Sequence, residues 1–140
     1  MDASDRKRWL RAAVLLGAVY FVIAIAFGEF ASRAASNLTG ETWNRLAFLA
    51  SGIAFAVHIG YEHFRLGNSP RMTALQASIA VAIGAFGLAV SANIHDLWWA
   101  SGYRPRMLIA LIAWPLLTAV PAFIVALVVA AGLNLRRRST

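Results

Sequence analysis

The sequence predicts an all-α fold, an integral membrane bundle of four transmembrane helices joined by short loops. Three observations carry that reading. Of the 140 residues, 60% are hydrophobic and only 14% are charged, too few to give every helix the polar face of a soluble bundle. The apolar residues gather into four stretches, residues 9–35, 45–64, 72–99 and 107–135. Each supplies about the 20 residues needed to cross a hydrocarbon core of about 30 Å. Arg and Lys gather mainly at the ends of these stretches. Spans and loops use nearly the whole chain, so residues 1–140 are expected to form a single membrane domain.

Arg6, Lys7, Arg8 and Arg11 surround the start of the first stretch, which holds an apolar run from Ala12 to Phe27. Ala31, Ser32 and Ala34 imitate a signal-peptide cleavage site, but the run is longer than a signal core, so it reads as a true first helix. Before the second stretch, Ser36 to Gly40 form a turn cluster and Thr42 is the expected cap. Gly67-Asn68-Ser69-Pro70 ends the second helix and places Pro70 just ahead of the third. Ser101-Gly102-Tyr103-Arg104-Pro105 separates the third from the fourth, with Pro105 suited to a first helical turn. The fourth contains Pro115 and Pro121, which disturb the carbonyls of Leu111 and Leu117; Thr118 is placed to re-satisfy one of them. Trp9, Trp43, Trp98, Trp99 and Tyr103 fall near the expected membrane interfaces, where amphipathic rings are best accommodated.

Orientation follows from Lys and Arg. Four precede the first helix, Arg65 and Arg71 flank the second connection, and Arg136, Arg137 and Arg138 follow the last helix. The other connections hold Arg33 and Arg45, and Arg104 and Arg106. The termini decide, and both are expected in the cytoplasm of a multi-pass inner (plasma) membrane protein. The Ala-rich vocabulary suggests a bacterial source. The formal charge of +7 lies at helix ends, where it sets orientation and attracts anionic headgroups, so the expected partner is the lipid bilayer and not nucleic acid. Cysteine is absent, which excludes disulfides, thiolate metal sites and thiol redox chemistry.

Small residues recur at helical spacing. Ala13, Gly17, Ala24, Gly28 and Ala31 line the first helix, Gly52, Ala56 and Gly60 the second, and Ala80, Gly84, Gly87 and Ser91 the third. Lipid tails provide no hydrophobic drive for helix association, so such stripes let backbones approach within the chain or between copies.

Two clusters of polar residues lie within the spans, where ionisable groups are costly and mark function. The outer cluster is Glu29 on the first helix with Asn93, His95 and Asp96 on the third. His95 shares a stripe with Gly84, Gly87 and Ser91, so it is expected in a helix contact. The plain alternative is local pairing, since Glu29 and Arg33 stand at i and i+4. The inner cluster is His58, Tyr61, Glu62, His63 and Arg65 on the second helix with Gln76 on the third. Its plain alternative is a polar helix end, Glu62 pairing with Arg65 and His63 reaching headgroup water. His58 and His63 diverge by about 140° on a straight helix and cannot chelate one metal. His58 with Glu62 gives two ligands where zinc needs three or four. No metal, cofactor or catalytic residue is therefore expected.

These residues favour a homo-oligomeric transporter or channel for a small solute, ion or proton, with Glu29, His95, Asp96, Asn93, His58 and Glu62 as its candidates. The alternative is a non-catalytic subunit or assembly factor of a larger membrane complex, held through its small-residue stripes. A haem b or quinone-binding redox subunit is a third reading. Bis-histidine haem ligation is disfavoured, because His58 and His95 differ in depth by about 15 Å at a rise of 1.5 Å per residue.

Overall fold

The computed structural model describes residues 3–99 and 106–138. It contains four helices: α1 (Ala3–Ser32), α2 (Asn37–Phe64), α3 (Pro70–Trp99) and α4 (Arg106–Arg138). They hold 30, 28, 30 and 33 residues, or about 42 to 50 Å at 1.5 Å per residue. Three contain segments long and apolar enough to cross a membrane: Arg6–Ser32, Pro70–Trp98 and Met107–Leu135. α2 is not among them, because His58, Tyr61, Glu62 and His63 make its last turns polar. The four helices of the expected bundle are all present, and α2 is the one with a polar end.

Helix boundaries follow local chemistry. α2 begins eight residues earlier than the apolar pattern suggests. Ser36 is its cap, in extended backbone, with its Oγ accepting from the Thr39 N–H at 3.2 Å. That bond satisfies one of the donors a helix start leaves free. The expected turn cluster is therefore a cap and a first turn. Thr42, expected as the cap, lies inside the helix and donates to the Leu38 carbonyl at 2.9 Å. α3 starts with Pro70, whose missing N–H is no loss at that position, behind Ser69, whose Oγ accepts from Met72 N–H. Pro115 and Pro121 lie inside α4. The Thr118 hydroxyl donates to the carbonyls of Trp114 and Pro115, not to those of Leu111 or Leu117. The expected break at Ser101 to Pro105 falls outside the described residues.

α3 is the spine of the bundle. It packs along both α1 and α4, whose backbones do not come near one another among the described residues, while α2 lies mainly on α1. Antiparallel connections put both ends of the chain and the 65–69 turn at one end of the bundle, the terminal end; the 33–36 turn marks the distal end. Where α1 meets α3, the backbones come very close. A Cβ on Gly17 would stand 2.6 Å from Ile83 Cγ2, and one on Gly84 would stand 2.9 Å from Tyr20 Cβ and 3.0 Å from the Gly17 carbonyl. A Cβ on Gly87 would meet the Phe21 ring at 2.9 Å. Of the six glycines expected at helix contacts, Gly28, Gly52 and Gly60 have nothing within 4 Å of that position among the described residues, so a Cβ there meets no crowding.

α2 meets α3 and α4 toward the terminal end, where Ile59 packs with Ala74, Ala77, Ala126 and Ala130. Elsewhere the surface is apolar: Leu15, Val22, Phe48, Ile112 and Leu117 are all exposed, as a lipid-facing bundle requires.

The glycine contact makes a direct prediction. Gly84→Ala should destabilise the protein by about 1 to 3 kcal/mol through overpacking, and Gly28→Ala should change stability little. Thermal unfolding in detergent checks this, and equal midpoints for the two variants would contradict the contact.

Candidate functional site: a buried polar line

The last turns of α2 form the most polar part of the interior. His58, Ile59, Glu62 and His63 are the buried residues of that helix, at the i, i+1, i+4, i+5 spacing of one helical face. His58 is 2% exposed, Glu62 0% and His63 3%, and α3 adds Thr73 at 0% and Gln76 at 1%. The expected polar helix end in headgroup water is thus overturned for these three side chains. Tyr61 is exposed, as is Arg65.

The local fold sets the geometry. Gly67 adopts φ +63°, a left-handed conformation open to glycine without a Cβ penalty. The turn brings Asn68 back over the helix end. Its backbone N–H bonds the Glu62 carbonyl at 3.3 Å, and its side-chain amide donates to Glu62 Oε2. Asn68, not Arg65, is therefore the partner of this carboxylate. Glu62 Oε1 lies 3.8 Å from His58 Nε2. On the other side of the ring, His58 Nδ1 lies 3.4 Å from the Tyr20 hydroxyl on α1, which donates when Nδ1 is bare and accepts when Nδ1 carries hydrogen.

Tyr20, His58, Glu62 and Asn68 thus form one line linking α1, α2 and the 65–69 turn. It joins two cavities. Tyr20 lines an apolar cavity of about 400 Å³ to which all four helices contribute. Asn68 lines a cleft of about 580 Å³ at the terminal end, together with Arg8, Trp9, Tyr61 and Gln76. Beside this line, Trp9 Nε1, His58 Nε2, Glu62 Oε1, both His63 ring nitrogens, Thr73 Oγ1 and Gln76 Oε1 are buried and find no hydrogen-bond partner among the described residues. Leaving a buried polar atom unpaired costs about 1 to 3 kcal/mol, and such groups beside a roomy polar cleft are where ordered water bridges. Among the described residues, no three His, Asp or Glu side chains are grouped to hold a metal ion.

The outer candidates sit differently. Glu29, His95 and Asp96 do line one groove of about 490 Å³ near the distal end. Glu29 is half exposed and pairs with Arg33 at 2.6 Å, which is the local pairing named above. His95 is exposed and lines the groove between α1 and α3, about two turns beyond Gly87. Asn93 has a structural task, since its amide donates to the carbonyls of Ala89 at 2.8 Å and Met107 at 2.9 Å and ties α3 to the start of α4. The groove and the apolar cavity share Ala24 and Leu88 in their walls, so the two adjoin.

Two members of the line were not singled out from the sequence. Asn68 reads as turn chemistry, and Tyr20 lies within the first apolar stretch without a motif around it. A lone hydroxyl in the middle of a span is itself a signal, because lipid offers it no partner.

Asn68→Ala should lower stability by about 1 to 3 kcal/mol by leaving Glu62 with one partner fewer. Arg65→Ala, at an exposed side chain, should stay within about 0.5 kcal/mol. Unfolding midpoints in one detergent decide, and the reverse order would restore the Glu62–Arg65 pairing. In comparisons with family models, curated proteins and solved structures, no match to this chain is found.

Proposed function

We propose that this protein is a small membrane transporter or channel that moves protons, alone or with a small solute, along the Tyr20–His58–Glu62–Asn68 line. The observation that supports this reading most is the joining of two cavities by groups that each give or take a proton or a hydrogen bond. Tyr, His and Glu are side chains used for proton transfer, and ionisable groups held at depth in a membrane mark proton and ion pathways. The distal groove with Glu29, His95 and Asp96 adjoins the central cavity, so the route continues from that side with these residues as its vestibule.

The route lies within one chain. Homo-oligomerisation, expected from the sequence, is therefore not needed to build it. The exposed Gly52 and Ala56 on α2 remain the face on which a second copy would pack. The placement of Lys and Arg supports both termini in the cytoplasm, so the cleft would face the cytoplasm.

Proton flux into proteoliposomes loaded with a pH-sensitive dye tests the reading. Glu62→Gln and His58→Ala should cut flux at least tenfold while keeping wild-type helicity and yield. Glu29→Gln and His95→Ala should stay within about twofold, since vestibule groups act through exposed positions. Equal flux in wild-type, Glu62→Gln and His58→Ala proteins would end the proposal. Loss of flux only in the Glu29 and His95 variants would move the site to the distal groove.

A further inference from the structure

The central cavity has a chemistry of its own, independent of flux. α1 and α3 close one side of it through Tyr20, Gly84 and Ala85; α2 contributes Phe48, Gly52 and Phe55, and α4 contributes Trp114, Pro121 and Ala122. It lies along the bundle from the place where α2 meets α4, at Ile59 with Ala126 and Ala130. Phe48 is 82% exposed and Trp114 51%, so both stand where the cavity opens to the bundle surface. A ligand can thus enter sideways from lipid. Its volume of about 400 Å³ lies within the range of small-molecule sites.

We infer that this cavity binds a neutral, membrane-soluble aromatic carbonyl compound of the quinone class, with the Tyr20 hydroxyl as its hydrogen-bonding hook. Three features select that class. No Asp, Glu, Lys, Arg or His lines the cavity, so a charged ligand would lose its hydration without a partner. Aromatic rings from α2 and α4 bound it, and flat rings pack against aromatic faces in offset or edge contacts. Small residues, Gly52, Gly84, Ala85 and Ala122, leave room beside those rings. The one ionisable lining side chain is Tyr20, whose hydroxyl is backed by His58 Nδ1. With hydrogen on Nδ1, the imidazole donates to the tyrosine oxygen, and the hydroxyl is free to donate to a ligand carbonyl. The ligand oxygen then becomes the distal end of the polar line. No electron transfer is implied; the inference concerns binding and the hydrogen bond.

The test is binding of a decyl-substituted benzoquinone to the purified protein in detergent, read as quenching of tryptophan fluorescence. Wild type should quench saturably, and Trp114→Phe should remove most of the saturable part. Tyr20→Phe should raise the dissociation constant at least fivefold. Ala122→Phe and Gly52→Phe, which fill the cavity from α4 and from the α2 rim, should raise it at least tenfold; Gly52 has nothing within 4 Å of its Cβ position, so that variant remains informative if Ala122→Phe fails to fold. Quenching that rises linearly with quinone, as simple partitioning into the micelle does, would overturn the inference. So would full displacement by oleate together with an unchanged Tyr20→Phe constant, which would make the cavity an acyl-chain groove. Quinone binding and proton flux are read separately, so either proposal can fail while the other stands.

Discussion

The close approach of α1 and α3 is the constraint on which the rest of the molecule depends. In lipid, helices gain nothing from burying apolar surface against one another, and dispersion contacts between backbones must hold them. Gly17 and Gly84 allow that approach, and Tyr20 lies in the same seam, its Cβ against Gly84. The rotation of α1 is thereby set. With α1 so held, Tyr20 meets His58 on α2, and the tyrosine ring forms part of the cavity wall. A bulkier residue at position 84 would shift α1 away and separate the hydroxyl from the imidazole.

Against this tight seam stands an interior that is polar and incompletely paired. His58, Glu62, Thr73 and Gln76 are almost wholly buried, and each keeps at least one atom without a partner among the described residues. A bundle selected for stability alone would place apolar side chains here, since replacing buried polar pairs by well-packed apolar groups is often neutral or stabilising. Unpaired polar groups beside cavities are instead what a site needs when water, protons or a ligand must come and go. The outer groove lacks that signature, because Glu29 is paired with Arg33 and Asn93 is committed to two backbone carbonyls.

Much of the fold was legible in the sequence, since length, apolar run and turn chemistry are local properties. The four helices, the Pro70 start and the prolines inside α4 all follow from near neighbours in the chain. The α2 start was misread because Asn37, Thr39 and Glu41 look like loop, while the Ser36 cap and the Glu41–Arg45 pair at 2.6 Å make them helix. The site was legible only in part. His58 and Glu62 stood out as ionisable groups on one face, but their burial depends on how α2 leans on α1 and α3. That rotation is set by glycine contacts on other helices, 22 or more residues distant in sequence from Glu62, and no periodicity within α2 encodes it. His95 shares a stripe with Gly84 and Gly87, and three-dimensional packing places it in the groove that α1 and α3 line. The same gap hides Tyr20 and Asn68, whose roles exist only once three segments meet.

The most direct measurement is solid-state 15N spectroscopy of histidine-labelled protein in bilayers, where only His58, His63 and His95 give signals. The account predicts a His58 resonance with contacts to water and a hydrogen-bonded Nδ1 whose shift moves in Tyr20→Phe, together with a His95 signal that does not. A His58 resonance that is dry and indifferent to Tyr20→Phe would contradict the polar line, and with it the assignment of function to this end of the bundle.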